Sequence, residues 1–417
     1  MKTGAHPDSW PGAKCRLLLA IVLLVLAVHW CAAEPIKGPQ VFGLPPGALA
    51  SAKARASSGD QEIQPALERL IEEADHALKA KPVSMMDKTK APPSGDKHDY
   101  MSTAPYFWPD PSKATGLPYI RRDGFRNPES HNAASDSPRM GKMANTAHTL
   151  ALAYYLTGKE EYAAQAAKVM RVWFLDPATR MNPNFKFAQA IPGVNTGRGT
   201  GMIESRSLIY VMDAAGLLAG STNWTKFEQG GLRKWMADFL EWAQTSKNGK
   251  DEKAAKNNHG TFYDLQMAHL ALFTGQKELA TRIVESAKTN RIAVQIKPDG
   301  SQPFELSRAD SFGYSRFNLQ ALFDLATLGQ HLGVDLWHFE TAEGASIKKG
   351  LDFLLPYAED PNKAWPLERQ KRGNRNLGSL LRPAWLVYHD ERCLKLLRES
   401  RDYEREQSAL FSSLSSR

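Results

Sequence analysis

The stretches Leu156-Thr-Gly-Lys-Glu-Glu161 and Phe273-Thr-Gly-Gln-Lys-Glu278 decide the fold predicted for this sequence. Each follows a helical pattern rich in Ala and Leu, and each precedes a second helical pattern. Gly158 and Gly275 stand where a left-handed residue commonly ends a helix. The same helical hairpin therefore occurs twice, and because each hairpin exposes an apolar face, such hairpins must stack on their neighbours to bury it.

Helical periodicity extends over most of the chain on both sides of these hairpins. Apolar residues recur at a spacing of three to four residues in many segments, whereas strand-like alternation is nearly absent. The predicted helices cover residues 61–80, 143–156, 161–174, 202–218, 226–244, 261–273, 277–292, 316–332, 344–355 and 377–397, the last in one or two pieces. The sequence thus predicts an all-α protein, an (α/α) toroid or incomplete barrel of helical hairpins, with long loops lining a cleft.

The domain organisation is predicted from composition. Residues 34–60 are rich in Pro, Gly, Ala and Ser, which indicates an extended lead-in. A single (α/α) toroid domain is expected over residues 61–400, followed by a polar C-terminal tail at 401–417. Within the domain, residues 81–140 contain many prolines together with aromatic and arginine side chains. A loop region of this length is typical of a functional surface.

The first 33 residues resemble a secretory signal. A basic n-region precedes an apolar run over residues 17–28, and Cys31-Ala-Ala33 forms a small-residue cleavage site. An apolar run of about 12 residues is shorter than the roughly 20 that span a bilayer. We therefore expect export to the periplasm or the medium, without stable membrane insertion after cleavage.

Charge and cysteine content limit the class of partner. The net charge of +8 suits a polyanionic ligand, but no basic run interleaved with aromatics indicates nucleic acid. Cleavage of the signal leaves Cys393 as the one cysteine, so no intramolecular disulfide is expected. The sequence has no His-x-x-x-His pair, cysteine cluster or calcium-type acidic loop, and we predict no metal and no cofactor.

The segment Lys256-Asn-Asn-His-Gly-Thr-Phe-Tyr-Asp264 gathers two amides, an imidazole and a phenol just before an apolar helix. Polar side chains at a helix entrance can point into one cavity. About fifty residues on, Glu305-Leu-Ser-Arg308-Ala-Asp-Ser-Phe-Gly-Tyr314 adds a guanidinium and a second phenol. These are the groups needed to remove a proton next to a carboxylate.

A 1,4-linked uronic acid polymer is a substrate that requires this chemistry. Loss of its C5 proton places a second negative charge beside the C5 carboxylate, and amides with an arginine can stabilise that charge. Asn258 and Arg308 are predicted to do so. Tyr314 is predicted to protonate the departing O4 and, where H5 lies on the same face, to act as the base, provided that Arg308 favours its phenolate. For substrates with H5 and O4 on opposite faces, His259 is the predicted base.

A further set of polar and aromatic side chains is predicted to contact sugar, by residue type and by position in loops. The glycine-rich stretch around Arg198 allows backbone to approach a ligand closely, and it lacks the strand and the Lys-Ser/Thr of a phosphate loop. The predicted contact residues are Tyr106, Trp108, Arg121, Arg122, Gln189, Asn195, Arg198, Asn257 and Tyr263.

Other interpretations of the same residues stay open at this point. Asn257 and Asn258 could cap the following helix, and Arg308 could pair with Asp310 or Glu305. An inverting glycosidase would use two carboxylates. The carboxylates available for that reaction are Asp264, Glu305, Asp310 and Glu204. A non-catalytic protein that binds acidic polysaccharide is the third possibility.

Several separate motifs carry a resemblance to a known family. The motifs are Lys97-His-Asp-Tyr-Met-Ser, Pro105-Tyr-Phe-Trp-Pro-Asp, Pro118-Tyr-Ile-Arg-Arg-Asp-Gly, Trp173-Phe-Leu-Asp-Pro-Ala-Thr-Arg-Met-Asn-Pro-Asn, Ala188-Gln-Ala-Ile-Pro-Gly, Asn257-Asn-His-Gly-Thr and Tyr314-Ser-Arg-Phe-Asn-Leu. Over roughly residues 95–360 the sequence resembles the alginate lyase domain of bacterial polysaccharide lyases.

This resemblance implies an (α/α) toroid and metal-independent β-elimination on a uronate polymer, leaving a 4,5-unsaturated sugar. The family's Asn-His pair maps to Asn258 and His259, its arginine to Arg308 and its tyrosine to Tyr314. Better known alginate lyases have one more residue between this arginine and tyrosine. The spacing here is closer to a branch with alginate- and glucuronan-cleaving members, so alginate or glucuronan is the expected substrate.

Overall fold

The computed structural model describes Met1, Gly4 and residues 39–360, 362–365, 367 and 375–413. The predicted signal at residues 1–33 lies outside these residues except for Met1 and Gly4. Gln40–Arg417 form one structural unit.

Helices make up most of this unit. The α-helices span Ala48–Ser58, Gln64–Leu78, Ser137–Thr157, Glu160–Met170, Ser207–Leu217, Lys226–Thr245, Lys247–Lys253, Asn258–Phe273, Lys277–Ala287, Ala293–Gln295, Pro303–Leu306, Ser311–Gln330, Ile347–Glu359, Leu381–Tyr388 and Glu391–Glu399. Five-residue π-helical turns, Arg171–Leu175 and Lys288–Ile292, extend two of them. No helix of the described residues is both long enough and apolar enough to cross a membrane.

The two predicted hairpins form as expected. Gly158 has φ of 74° and closes the helix Ser137–Thr157, with its N–H donating to the carbonyl of Tyr154 at 2.7 Å. Gly275 has φ of 84° in the corresponding turn after Asn258–Phe273. A residue with a Cβ is strained at such angles, so glycine ends both helices.

The long helices pack on their neighbours around two hydrophobic clusters, one mainly in each half of the chain. Ser137–Thr157 packs on its hairpin partner Glu160–Met170 and also on Ser207–Leu217. Asn258–Phe273 packs in the same way on Lys277–Ala287 and on Ser311–Gln330. Ser207–Leu217 and Asn258–Phe273 contact each other and connect the two halves, as an (α/α) toroid requires. The predicted fold class is therefore confirmed.

The region between residues 81 and 136 is irregular but ordered by short strands. The strand Met101–Thr103 pairs in parallel with Phe187–Ala190, and Phe107–Trp108 pairs in antiparallel fashion with Ile120–Arg121. Short 3₁₀ turns at Met85–Asp87 and Pro128–His131 complete the region. The turn Pro128–His131 contacts the helix Ser137–Thr157, and side chains of this region line the cleft described below.

The interpretation of residues 34–60 as an extended lead-in is wrong for Ala48–Ser58, which form a helix. This segment is rich in alanine, the best helix former, and Leu49 and Ala52 are buried in the core. The helix Lys247–Lys253 was also not predicted, because it is polar throughout. At the other terminus, residues 407–411 form a 3₁₀ turn that buries Leu410, so this part of the predicted tail packs on the domain.

Candidate active site

A cleft of about 560 Å³ lies between the loop region and the starts of two core helices. All four residues predicted to be catalytic line it: Asn258, His259, Arg308 and Tyr314. Five of the predicted contact residues line it as well: Tyr106, Arg121, Gln189, Arg198 and Asn257. Residues that are up to about two hundred positions apart in sequence therefore meet in one cavity.

The cleft is strongly cationic. Six Lys and Arg side chains line it: Arg121, Arg126, Arg198, Arg206, Lys256 and Arg308. Glu204 is the one carboxylate among the described lining residues. It is partly buried, and the hydroxyls of Tyr100 and Ser102 donate to it at 2.8 and 2.6 Å. Burial raises the pKa of Glu204. Such a lining attracts an anionic ligand.

Asn257 and Asn258 begin the helix Asn258–Phe273 and differ in role. The Asn257 side chain accepts from the backbone N–H of His259 at 3.3 Å, which is the capping role considered above. Asn258 is fully buried, and its side chain Nδ2 donates to both carboxylate oxygens of Glu305 at 3.0 and 2.8 Å. Its backbone N–H also donates to Glu305, at 2.6 Å. Glu305 thus fixes the amide that faces the cleft.

His259 pairs with a carboxylate that sequence reasoning did not identify. Its Nδ1 lies 2.7 Å from Oε1 of Glu252, whose side chain is buried, while 18% of the His259 side chain is exposed. A carboxylate at Nδ1 holds the proton on that nitrogen and leaves Nε2 as a proton acceptor. The pair therefore has the composition of a general base, the role predicted for His259.

Arg308 is held by Asp123 rather than by Asp310 or Glu305. Its Nη2 and Nε donate to the two carboxylate oxygens at 2.8 and 3.1 Å. Burial disfavours the charged form of Asp123, but the hydrogen bonds from Arg308 and Ala309 outweigh it and hold the pKa of this carboxyl well below its usual range. The guanidinium also lies 3.6 Å from the ring centroid of Tyr314, in a cation–π contact.

Tyr314 forms a hydrogen bond with a second phenol from the loop region. Its hydroxyl donates to the hydroxyl of Tyr106 at 2.8 Å. Burial raises the pKa of Tyr314 well above its ordinary value; the charge of Arg308 opposes this rise, and the bond with Tyr106 adds to it. Arg308 thus favours the phenolate, which is the condition set above for Tyr314 as a base, but burial has the larger effect on this pKa. A protonated phenol suits the role of acid.

Arg198 is positioned by a strained residue. Gln189 has φ of 49°, unusual for a residue with a side chain, and both its backbone carbonyl and its Oε1 accept from Arg198 at 3.2 and 2.8 Å. The guanidinium stacks over the ring of Phe107. Burial lowers the pKa of Arg198 to about 10, so it still carries its charge at neutral pH. Strain of this kind is concentrated at functional sites.

Four predicted contact residues do not line the cleft. Tyr263 is buried, and its hydroxyl donates to the carbonyl of Ala243 at 3.1 Å, because its position on the helix turns it into the core. Asn195 accepts from the N–H of Ile191 and stabilises its own turn. Trp108 belongs to the strand Phe107–Trp108, and its indole N–H donates to the carbonyl of Phe125. Arg122 directly follows the strand Ile120–Arg121 and is exposed.

The carboxylates of the glycosidase alternative are divided between cleft and core. Asp264 is buried in a salt bridge with Arg291 at 2.7 Å, and Asp310 caps the helix Ser311–Gln330. Glu204 accepts hydrogen bonds from the hydroxyls of Tyr100 and Ser102. Glu305 accepts a hydrogen bond from the side-chain amide of Asn258. In the described part of the chain, no group of three His, Cys, Asp or Glu side chains has an arrangement that could hold a metal ion.

An (α/α) toroid whose cationic cleft joins amide, imidazole, guanidinium and phenol is typical of lyases that act on acidic polysaccharides. The comparison with known families agrees with this class. The alginate lyase family model matches residues 84–365, and the chain belongs to the alginate lyase family. It is a polysaccharide lyase that cleaves uronate polymers.

Solved structures of alginate lyases share the fold. An alginate lyase from Bacteroides ovatus is 38% identical, with a TM-score of 0.86 over 90% of this chain and 100% of that chain. Alginate lyase A1-III from Sphingomonas species A1 is 16% identical, with a TM-score of 0.53 over 90% of this chain and 100% of that chain. A histidine-to-alanine variant of alginate lyase A1-III complexed with a tetrasaccharide gives 17% identity and a TM-score of 0.60 over 93% and 100%. No curated protein matches the sequence.

Proposed function

We propose that this lyase acts on alginate by β-elimination across C4 and C5 of a uronate held in the cleft, with Asn258, His259, Arg308 and Tyr314 as its catalytic residues. The observation that carries the proposal is their convergence on one cationic cavity. Glucuronan is the second candidate, on the sequence resemblance given above. The reaction breaks the C5–H and C4–O4 bonds and forms the C4–C5 double bond.

The first task is to stabilise the charge that develops on the C5 carboxylate. Arg308 is anchored by Asp123 and lies against Tyr314, so its remaining N–H donors can meet an anion without a loss of side-chain freedom. Asn258, at the N-terminus of the helix Asn258–Phe273, adds an amide and the favourable end of the helix dipole. These donors favour the enolate-like state over the ground state.

The second task is proton transfer. His259, with Glu252 at Nδ1, removes the C5 proton through Nε2, and the Tyr314 hydroxyl protonates O4 as the sugar departs. With the base and the acid on separate side chains, the site suits a uronate with H5 and O4 on opposite faces, as in polyguluronate. In polymannuronate and polyglucuronate H5 and O4 lie on one face, and Tyr314 must first lose its proton to serve as the base. Arg308 must then stabilise the phenolate, because the substrate carboxylate adds a like charge that opposes it.

An assay panel tests this proposal. The protein is mixed with polymannuronate, polyguluronate, polyglucuronate and hyaluronan, and the ultraviolet absorbance of the new double bond is followed. We expect turnover on at least one alginate block, with Tyr314→Phe inactive on every polymer. Turnover on polyglucuronate alone would assign the enzyme to glucuronan, and absence of unsaturated product from all four polymers would reject the proposal.

We further propose that the protein is exported to the periplasm or the medium. The basic n-region, the apolar run over residues 17–28 and the small residues before Glu34 support this. Expression in a Gram-negative host followed by N-terminal sequencing of the periplasmic protein tests it. We expect the mature chain to begin at Glu34, whereas a full-length protein retained in the cytoplasm would contradict export.

A further inference from the structure

Glu305 occupies an unusual position for a carboxyl group next to a site for an acidic sugar. It belongs to the short helix Pro303–Leu306, is 1% exposed, and within the described part of the chain it forms no salt bridge. Its oxygens accept from the backbone N–H and the side-chain Nδ2 of Asn258. The amide proposed to meet the substrate carboxylate is therefore already bonded to a carboxylate of the protein.

The other end of the same amide has no partner. Oδ1 of Asn258 is buried and makes no hydrogen bond. An unpaired buried acceptor costs about 1–3 kcal/mol, so its presence next to a catalytic cleft calls for a reason. An amide can turn over and exchange its oxygen and nitrogen, but Nδ2 must face Glu305 as long as Glu305 offers acceptors alone.

We propose that Glu305 is a positioning residue that takes up a proton when a uronate binds: the protonated carboxyl donates to Oδ1 of Asn258, and the amide turns Nδ2 towards the substrate carboxylate. This inference rests on the proposed function. The proton comes from solvent and forms an O–H bond on Glu305, and the second carboxyl oxygen continues to accept the backbone N–H of Asn258. In this state every polar atom of the amide has a partner.

Burial and the charges around Glu305 act on its protonation in opposite directions. Arg308, on the turn after the helix Pro303–Leu306, and His259, on the facing helix, favour the ionised form of Glu305 and lower its pKa. Arg308 is matched by Asp123 and His259 by Glu252, while Lys256 and Tyr314 line the same cleft. A substrate carboxylate brings a further negative charge to the same donors, and two carboxylates at one site favour protonation of one of them. Burial already raises the pKa of Glu305.

The affinity for the substrate should depend on pH. Because the substrate prefers the protonated form of Glu305, affinity is highest at low pH and declines as pH rises from the pKa of Glu305 in the free enzyme to its higher value in the complex. Each pKa unit of difference corresponds to about tenfold in KM. We therefore expect the wild-type KM to rise with pH, by about tenfold for each unit by which substrate binding raises the pKa of Glu305.

The test compares Glu305→Gln and Glu305→Ala with the wild type, using the polymer on which turnover is highest. Gln presents an N–H₂ to Oδ1 of Asn258 and a carbonyl to its backbone N–H, and so mimics the protonated acid. We expect the KM of Glu305→Gln to lose its rise with pH, and Glu305→Ala to lose at least about tenfold in kcat/KM because Asn258 is no longer held. The exposed Glu278→Gln is the matched control and should keep the wild-type pH profile.

A second measurement does not depend on turnover. Calorimetric titration of Tyr314→Phe with the same polymer, in buffers of different ionisation enthalpy, reports protons taken up on binding. We expect uptake of up to about one proton per site in Tyr314→Phe and none in Tyr314→Phe/Glu305→Gln. A wild-type pH profile in Glu305→Gln, or equal uptake in both proteins, would overturn the inference. If no polymer is cleaved or bound, the proposed function itself fails and the inference fails with it.

Discussion

Two histidines of the same helix, Asn258–Phe273, each pair with a carboxylate from another helix, and the two pairs serve different regions of the molecule. At the cleft end, Nδ1 of His259 lies 2.7 Å from Glu252, and 18% of the imidazole side chain is exposed. At the core end, ten residues along the chain, Nε2 of His269 lies 3.1 Å from Asp213, and the side chain is 1% exposed. The chemical groups are the same, but their access to solvent differs.

The surroundings explain the difference in role. Around His259 are the other cleft residues, Arg308 and Tyr314 among them. Around His269, the ring of Phe42 makes an edge contact, and the backbone N–H of Phe42 donates to Asp213 at 3.1 Å. The His269–Asp213 pair therefore holds the segment near residue 42 against the helices through hydrogen bonding and ring packing. An imidazole–carboxylate pair becomes a candidate base only where its second nitrogen can reach a ligand.

The largest effect is expected at the acid of the cleft. Tyr314→Phe removes the hydroxyl that protonates O4, and turnover should fall by about 10⁴-fold while affinity for the polymer is retained. Tyr388→Phe is the matched control, because the Tyr388 hydroxyl donates to the carbonyl of Trp337 outside the cleft. Steady-state rates and binding measurements report the two effects, and wild-type turnover in Tyr314→Phe would exclude this phenol as the acid.

The second largest effect is expected at the His259–Glu252 pair of the cleft. His259→Ala should lower turnover by about 10²–10³-fold on polyguluronate, where an opposite-face base is required, and less on polymannuronate. Thermal unfolding should also shift to lower temperature, because the buried carboxylate of Glu252 loses its partner, so the rates are compared on the folded fraction. His338→Ala, which removes an exposed imidazole paired with Asp335, should leave the rates unchanged. Equal losses on both polymers would contradict the proposal that His259 is the base on polyguluronate and Tyr314 the base on polymannuronate.

The core pair should show the opposite behaviour. Asp213→Ala leaves the buried Nε2 of His269 and the N–H of Phe42 without their acceptor, which should lower the free energy of unfolding by about 2–4 kcal/mol. The folded fraction should keep kcat and KM within about threefold of the wild type, because no cleft residue is touched. Denaturant unfolding with parallel kinetics checks this. A selective loss of kcat in a stable variant would place His269 in the catalytic machinery.

The comparison also shows what the sequence could predict. Apolar periodicity and two glycine turns predicted the hairpins, and residue chemistry predicted that positions 258, 259, 308 and 314 share a cavity. Glu252 and Asp123, which hold His259 and Arg308, were not predicted as partners, since neither lies at a fixed spacing from the residue that it contacts. Tyr263 was predicted wrongly because proximity in sequence to His259 does not determine which face of a helix a side chain occupies.

The smallest expected effect concerns a carboxyl near the core pair. Burial raises the pKa of Asp324 to about 6, from an ordinary value of 3.8, against the hydrogen bond from Gln320 and the charge of His269. The folded protein then binds more protons than the unfolded chain, so stability should fall as pH rises from about 4 to about 6. After allowance for the partial exposure of Asp324, the contribution is about 1–2 kcal/mol.

Asp324→Asn isolates this contribution. Asn still accepts from Gln320 but carries no charge, so the variant should be more stable than the wild type above about pH 6 and should lack the decline between about pH 4 and about pH 6. Chemical denaturation at several pH values measures both features. An unchanged decline in the variant would assign the pH dependence to another group.

The most direct test of the central claim counts the chain ends produced from alginate. Wild-type protein and His259→Ala are incubated with polyguluronate, and new reducing ends are compared with new unsaturated ends. Elimination in the cleft predicts one unsaturated end for each reducing end in the wild type, and a parallel loss of both in the variant. Reducing ends formed without unsaturated ends would mean hydrolysis, and the account of the cleft as an elimination site would be wrong.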